Sequence, residues 1–195
     1  RILEEKGEFG EDPPALRQLK ALILRGELRD AAQSLGLGSD RVHFLDLPFY
    51  EKGRYRRFQS TADDLTALAS LLSQHKPHQI YCTGDAADPS SVSGITFKLL
   101  ESALRQSEGE DWASTCSLWS YRGREKPLEP HEIDMAVPLS PLQLERKIRS
   151  LARYGSLSSL ERGIADQNRA HAKDYDALGL AEYEAIEAFQ RRARS

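Results

Sequence analysis

From Ala15 to Leu35 apolar residues recur at Leu16, Leu19, Leu22-Ile23, Leu28, Ala31-Ala32 and Leu35. That spacing predicts an amphipathic helix. Gly36 and Gly38 end it. Upstream, residues 4–14 are charged and carry Gly7, Gly10 and Pro13-Pro14. They read as the end of a linker, 1–14, followed by a proline-started helix. The run Val42-His43-Phe44-Leu45-Asp46-Leu47 is β-prone and stops at Pro48, and residues 49–60 read as an exposed loop. Thr61-Ala62-Asp63-Asp64 predicts a helix N-cap with acids in the first turn. That helix continues through Leu65, Leu68, Leu71 and Leu72 until Pro77 breaks it.

Gln79–Thr83 is the second predicted strand, and 84–89 is the loop at its C-terminal end. A helix to about Arg105 follows, then an acidic, glycine-containing loop over 107–111. Cys116–Tyr121 and Ile133–Val137 are the third and fourth predicted strands, and Ser140-Pro141 opens another helix through Leu144 and Ile148 to Leu151. The tail from about Ala165 to Ala193 reads as helix with a break near Gly179. Within it, Tyr183, Ile186 and Phe189 form an apolar stripe. Strands alternating with helices predict an α/β fold: a Rossmann-like, largely parallel sheet with helices on both faces. Ligands of such sheets sit at the C-terminal strand ends, which directs attention to residues 84–94.

Composition narrows the function classes. Of the 195 residues, 39% are hydrophobic and 29% charged, enough for one packed domain, and the net charge of −3 shows no basic excess for nucleic acid. No apolar run approaches the ~20 residues of a membrane span. The two cysteines, Cys82 and Cys116, lie in strand-like runs and are expected buried and reduced, as in a cytoplasmic protein. The N-terminal Arg1-Ile2-Leu3-Glu4-Glu5-Lys6 has no signal-peptide apolar core and no initiator Met. The expectation is a piece of a longer protein.

Several segments, in one order, resemble the LmbE/PIG-L-type N-deacetylases: His43–Glu51, Lys76–Tyr81, Gly84-Asp85 with Asp88-Pro89, Tyr121-Arg122-Gly123, Glu132–Pro141 and Leu178–Ala185. The likeness covers about Ala15 to Arg191. It is closest to the PIG-L-like domain that follows a glucosamine-6-phosphate deaminase domain in two-domain bacterial proteins. It implies residues 15–195 as one domain, with the N-terminal strand missing. It also implies hydrolysis of an N-acyl group from an amino sugar. In the family, zinc is held by a His and an Asp of a His-Pro-Asp-Asp motif and by a second His after the Asp-Pro loop. Zinc needs three protein ligands and an open position to activate water.

The chain departs from that pattern where the chemistry lies. It has no His-Pro-Asp-Asp, and where relatives read Asp-Pro-His-Gly-Thr-His-Arg it reads Asp88-Pro89-Ser90-Ser91-Val92-Ser93-Gly94. The family ligand positions are therefore Ser90 and Ser93, and a neutral hydroxyl is a poor zinc ligand beside imidazole. A later His-Gln-Ser-Gln stretch appears as Tyr154-Gly155-Ser156-Leu157. The five histidines, His43, His75, His78, His131 and His171, form no ligand-spaced pair and read as structural or surface residues. The serines have no Gly-x-Ser-x-Gly elbow and read as a helix start, whose N–H groups could take an anion.

Three residues stand as binding candidates. Asp85 and Asp88 form either a remnant polar pocket or, favoured here, a helix cap assisted by Ser90 or Ser91. Arg122 either meets a phosphate or carboxylate ligand or pairs with a nearby acid. Arg25 and Glu27 read as scaffold, and Phe49, Tyr50, Trp112 and Trp119 as core or pocket wall. The expectation is a binding or structural module without catalytic residues or bound metal. Its partners would be an amino sugar or sugar phosphate, a deaminase domain or a second copy. The alternative is a zinc-dependent N-deacetylase completed by residues upstream of Arg1.

Overall fold

The structure is a computed structural model that describes residues 12–53, 59–83, 90–123, 126–155 and 160–192. Its helices are α1 (Pro14–Ser34), α2 (Pro48–Gly53), α3 (Ala62–His75), α4 (Val92–Gln106), α5 (Asp111–Thr115), α6 (Pro141–Leu151) and α7 (Leu160–Ala177). Its strands are β1 (Gln79–Thr83), β2 (Ser117–Tyr121), β3 (Met135–Leu139) and β4 (Ala185–Arg192). The chain divides into two compact units: residues 1–43 with 139–166, and residues 44–138 with 167–195.

In the first unit α1 begins with Pro14 in its first turn, where the missing N–H costs no helical hydrogen bond. Gly36, at φ 90°, takes the left-handed turn after its end. Leu16 and Ala31 of α1 are buried, as are Leu144 and Ser150 of α6. The two helices are tied where the Ser150 hydroxyl donates to the Ala31 carbonyl at 3.0 Å. The Ser140 hydroxyl caps α6 by accepting the Gln143 N–H, and Gln143 Oε1 accepts the Ser140 N–H in return. Much of the predicted apolar stripe of α1 is exposed, at Leu19, Leu22, Ile23 and Leu28. Arg25 and Glu27 are half-buried.

The second unit holds the sheet, in the order β1-β2-β4-β3. β1 and β2 are parallel, with Ile80 beside Leu118 and Thr83 beside Tyr121. β4 runs antiparallel to β2, with Ser120 beside Gln190. Alternation along the strands then separates two rows. Ile80, Cys82 and Leu118 pack into the core with Leu68 and Leu72 of α3, Ile95, Phe97, Leu100 and Leu104 of α4, and Trp112. Tyr81, Trp119, Tyr121 and Phe189 form the opposite row. There the Phe189 ring meets Tyr81 edge-on at 5.1 Å and Tyr121 at 6.4 Å.

The α/β class stands, with several differences in detail. The sheet is mixed rather than largely parallel, because the tail after Gly179 is the strand β4 and not a helix. Its Tyr183–Ile186–Phe189 spacing suits a helix. A strand seated between β2 and β3, however, has backbone partners on both sides, and that tertiary pairing overrides local preference. Val42–Leu47 carries no strand: a 3₁₀ turn, Ser39–Arg41, precedes it and Asp46 at φ 48° interrupts it. α2 replaces the start of the loop predicted over 49–60, and α5 follows the loop predicted over 107–111.

α3 starts as the sequence predicts, with a Thr61–Asp64 capping box, and ends at Lys76 in left-handed geometry, before Pro77. Neither cysteine forms a disulfide. Cys116 is buried and Cys82 only partly so. Among the described residues no helix is long and apolar enough to cross a membrane.

Candidate functional site

Because β1 and β2 are parallel, their C-terminal ends, Thr83 and Tyr121, lie side by side. Residues 84–89 follow β1 in the sequence, and Arg122 follows β2. This is the end of the sheet at which an α/β fold presents its ligand site. Asp85 and Asp88 fall outside the described residues.

The serines that follow those residues in the sequence belong to the start of α4. Ser91 is the N-cap: its backbone is extended and its hydroxyl accepts the Gly94 N–H at 3.0 Å. It satisfies one of the N–H groups that a helix start leaves open. Ser90 is exposed, and Ser93 is half-buried in the first turn. Of the two serines suggested to assist a cap, Ser91 holds the N-cap position itself.

Arg122 is engaged within the protein. Its Nη1 and Nη2 donate to the two carboxylate oxygens of Glu132 at 2.8 and 2.7 Å. Glu132 Oε2 also accepts the Glu129 N–H at 3.0 Å. The Arg122 hydrogen bonds, then the Glu129 N–H, hold the Glu132 carboxyl below the usual carboxylate range. Gln167 of α7 donates to the Arg122 carbonyl at 3.1 Å, fixing the backbone beneath the fork. Pairing with a neighbouring acid, one of the two readings of Arg122, is present in the structure. Sequence reasoning did not single out Glu132, although it stands in the segment that carries part of the family resemblance.

Burial pushes the Cys82 thiol, near the end of β1, up to about 11, so it is protonated at neutral pH and a weak metal ligand or nucleophile. Tyr121 is also raised, by burial first and then by Cys82 and Glu187. His43, His75, His78 and His131 are exposed, and His171 of α7 is buried. Trp112 is buried in the core and donates from Nε1 to Glu110 at 2.7 Å. Phe49 is likewise buried, whereas Tyr50 is exposed rather than part of a core or pocket wall.

The resemblance implies a zinc ion. Among the described residues no three His, Cys, Asp or Glu side chains cluster to hold a metal. The positions that matter by resemblance offer the hydroxyls of Ser90 and Ser93, which bind zinc poorly when neutral.

Comparison with known proteins places this geometry. No family model matches the chain. The chain is 39% identical over 202 residues to a glucosamine-6-phosphate deaminase-like protein of Bacteroides thetaiotaomicron. That match takes in 97% of the chain but only 30% of the relative's length. Among solved structures, GalB, the 4-carboxy-2-hydroxymuconate hydratase of Pseudomonas putida, superposes with a TM-score of 0.68 at 15% identity, over 99% of this chain and 78% of that one. The N,N'-diacetylchitobiose deacetylase of Pyrococcus horikoshii superposes with a TM-score of 0.58 at 15% identity, over 95% and 68%. A hydratase and a deacetylase thus share the fold, so the reaction must be argued from the site.

Proposed function

For this chain, a PIG-L/LmbE-like, deacetylase-related domain by fold and by resemblance, we propose a metal-free, catalytically inactive module of a cytoplasmic glucosamine-6-phosphate deaminase-type protein. It supports or caps a neighbouring domain, or holds an amino sugar or sugar phosphate without turning it over. The observation that carries this reading is the start of α4. Where the family pattern calls for two imidazoles, the chain has Ser90 and Ser93, flanking a serine whose hydroxyl closes the helix cap. A site rebuilt to start a helix has lost the donors that activate water.

Two further features support it. Arg122, the cation nearest the expected ligand end of the sheet in sequence terms, is held by both oxygens of Glu132. The partially buried thiol of Cys82 is kept protonated. The association with a deaminase-type protein is supported by the curated relative, of which the chain spans 30%.

The test is elemental analysis of the purified chain after dialysis against micromolar zinc. The expected result is well below one zinc per chain and no release of acetate from N-acetylglucosamine derivatives. One tightly held zinc per chain together with acetate release would instead establish a zinc-dependent N-deacetylase, with Asp85 and Asp88 as the first candidate ligands.

A further inference from the structure

Strand alternation sends Tyr81, Trp119, Tyr121, Glu187, Phe189 and Arg191 to the sheet face opposite the core. That face is open where the aromatic rings gather: Tyr81 is 45% exposed and Tyr121 43%. Neither ring is loose. Both meet Phe189 edge-on, at 5.1 and 6.4 Å between ring centres, and Phe189 is half-buried. The Tyr81 hydroxyl also donates to Gln79 Oε1 at 3.1 Å. Three rings from β1, β2 and β4 therefore form one braced aromatic patch.

Its charge lies to one side. β4 runs antiparallel to β2, so its lower-numbered residues lie toward the C-terminal end of β2. Glu187 is thus on the ligand-end side of Phe189, and Arg191, beside Trp119, is on the other. Burial, then Cys82 and then the Glu187 charge raise the Tyr121 phenol, which puts that carboxylate within electrostatic reach of the patch.

Such a surface is selective. Aromatic faces carry partial negative charge and attract cations. A carboxylate beside them gives an ammonium a full counter-charge and gives hydroxyls an acceptor. A phosphate would be repelled by Glu187. An apolar protein surface laid here would bury Glu187 and two phenol hydroxyls without offering them partners. A pyranose with a protonated amine suits each feature, with its C–H face on the rings, its ammonium toward Glu187 and its hydroxyls toward Gln79 and the phenols.

We propose that the sheet face formed by Tyr81, Tyr121 and Phe189, with Glu187 at its edge, binds a cationic amino sugar, a pyranose with a free amine. The proposal rests on the reading of this chain as a module that holds an amino sugar, and it puts that ligand on the sheet face rather than at residues 84–94.

The experiment is a titration of the isotope-labelled full chain with glucosamine, N-acetylglucosamine and glucose, at about pH 6 so that the amine is protonated, followed by aromatic-ring and amide NMR. The expected result is saturable glucosamine binding, with shifts centred on the rings of Tyr81, Tyr121 and Phe189. It should be about tenfold tighter than binding of either neutral sugar. Glu187→Gln keeps the shape and should bring glucosamine down to the level of glucose. Tyr121→Leu keeps apolar bulk without the ring and should weaken binding about tenfold. If Tyr121→Leu does not fold, Glu187→Gln and the location of the wild-type shifts decide. No saturable ring shifts, equal affinity for the three sugars, or a Glu187→Gln protein that still prefers glucosamine would overturn the assignment. Glucosamine shifts confined to residues 90–94 and Arg122 would also overturn it, and would leave the sugar-holding module standing. The module reading itself fails on acetate release from N-acetylglucosamine, a separate measurement.

Discussion

The Asp64 carboxylate accepts the backbone N–H of Phe49, fifteen residues earlier, at 2.9 Å. Its other oxygen accepts both the N–H and the hydroxyl of Thr61, each at 2.7 Å. One fully buried acid therefore closes the start of α3 and anchors the segment that places the Phe49 ring in the core. The negative end also suits the positive pole of the helix.

Replacing Asp64 by Ala should strand the Phe49 and Thr61 N–H groups away from water. The expected loss is about 2–3 kcal/mol of unfolding free energy, larger than for an ordinary exposed cap. Asp64→Asn keeps one acceptor and should cost less. Urea unfolding of the three proteins checks this; equal stability of Asp64→Ala and the parent would refute the anchor.

The Arg122–Glu132 pair gives a signed pH prediction. Its carboxyl is held below the ordinary value of 4.5. The pair's contribution is therefore present above that ordinary value and is lost as pH falls through the depressed folded-state value. A double-mutant cycle with Arg122→Gln and Glu132→Gln should show coupling of about 1 kcal/mol near pH 7, fading as the carboxyl is protonated on acidification. Coupling that grows on acidification would contradict the geometry.

Cys82 should be sluggish toward alkylation. Raising a thiol from 9.0 to about 11 by burial leaves about 100-fold less thiolate at pH 8. Iodoacetamide labelling resolved by peptide mass spectrometry should show that lag in the folded protein and lose it in denaturant. Equal rates in both states would place Cys82 in contact with solvent.

β1 stands at one end of the strand order, so among the described residues one row of its backbone N–H and C=O groups has no strand beside it. Edges of this kind pair with other chains unless charge blocks them. Sedimentation is expected to show mass rising with concentration. Tyr81→Lys, which places a charge on this exposed edge position, should suppress the rise. A constant monomer mass at high concentration would rule out pairing through this edge.

Much of this protein is set locally. Pro14, Thr61, Pro77 and Ser140 mark helix ends through their own backbone limits or hydroxyls, and each acts where the sequence predicts. The short apolar runs at Gln79–Thr83 and Ser117–Tyr121 become neighbouring parallel strands because β-branched and aromatic side chains suit a half-buried sheet. The absence of imidazole from the Asp-Pro loop is likewise a property of the sequence, since ligand type depends on side-chain chemistry.

Tertiary structure decided what depends on a distant partner. Ala185–Arg192 has a helix-compatible spacing and becomes a strand only because β2 and β3 offer hydrogen bonds on both sides. Val42–Leu47 has strand composition but no strand ladder, and composition supplies no hydrogen bonds. Arg122 could have faced a ligand or an acid. Glu132, brought within 2.8 Å by the turn before β3, pairs with it. The Asp134 carboxylate accepts the Arg191 N–H across 57 residues, and local sequence does not encode such a contact.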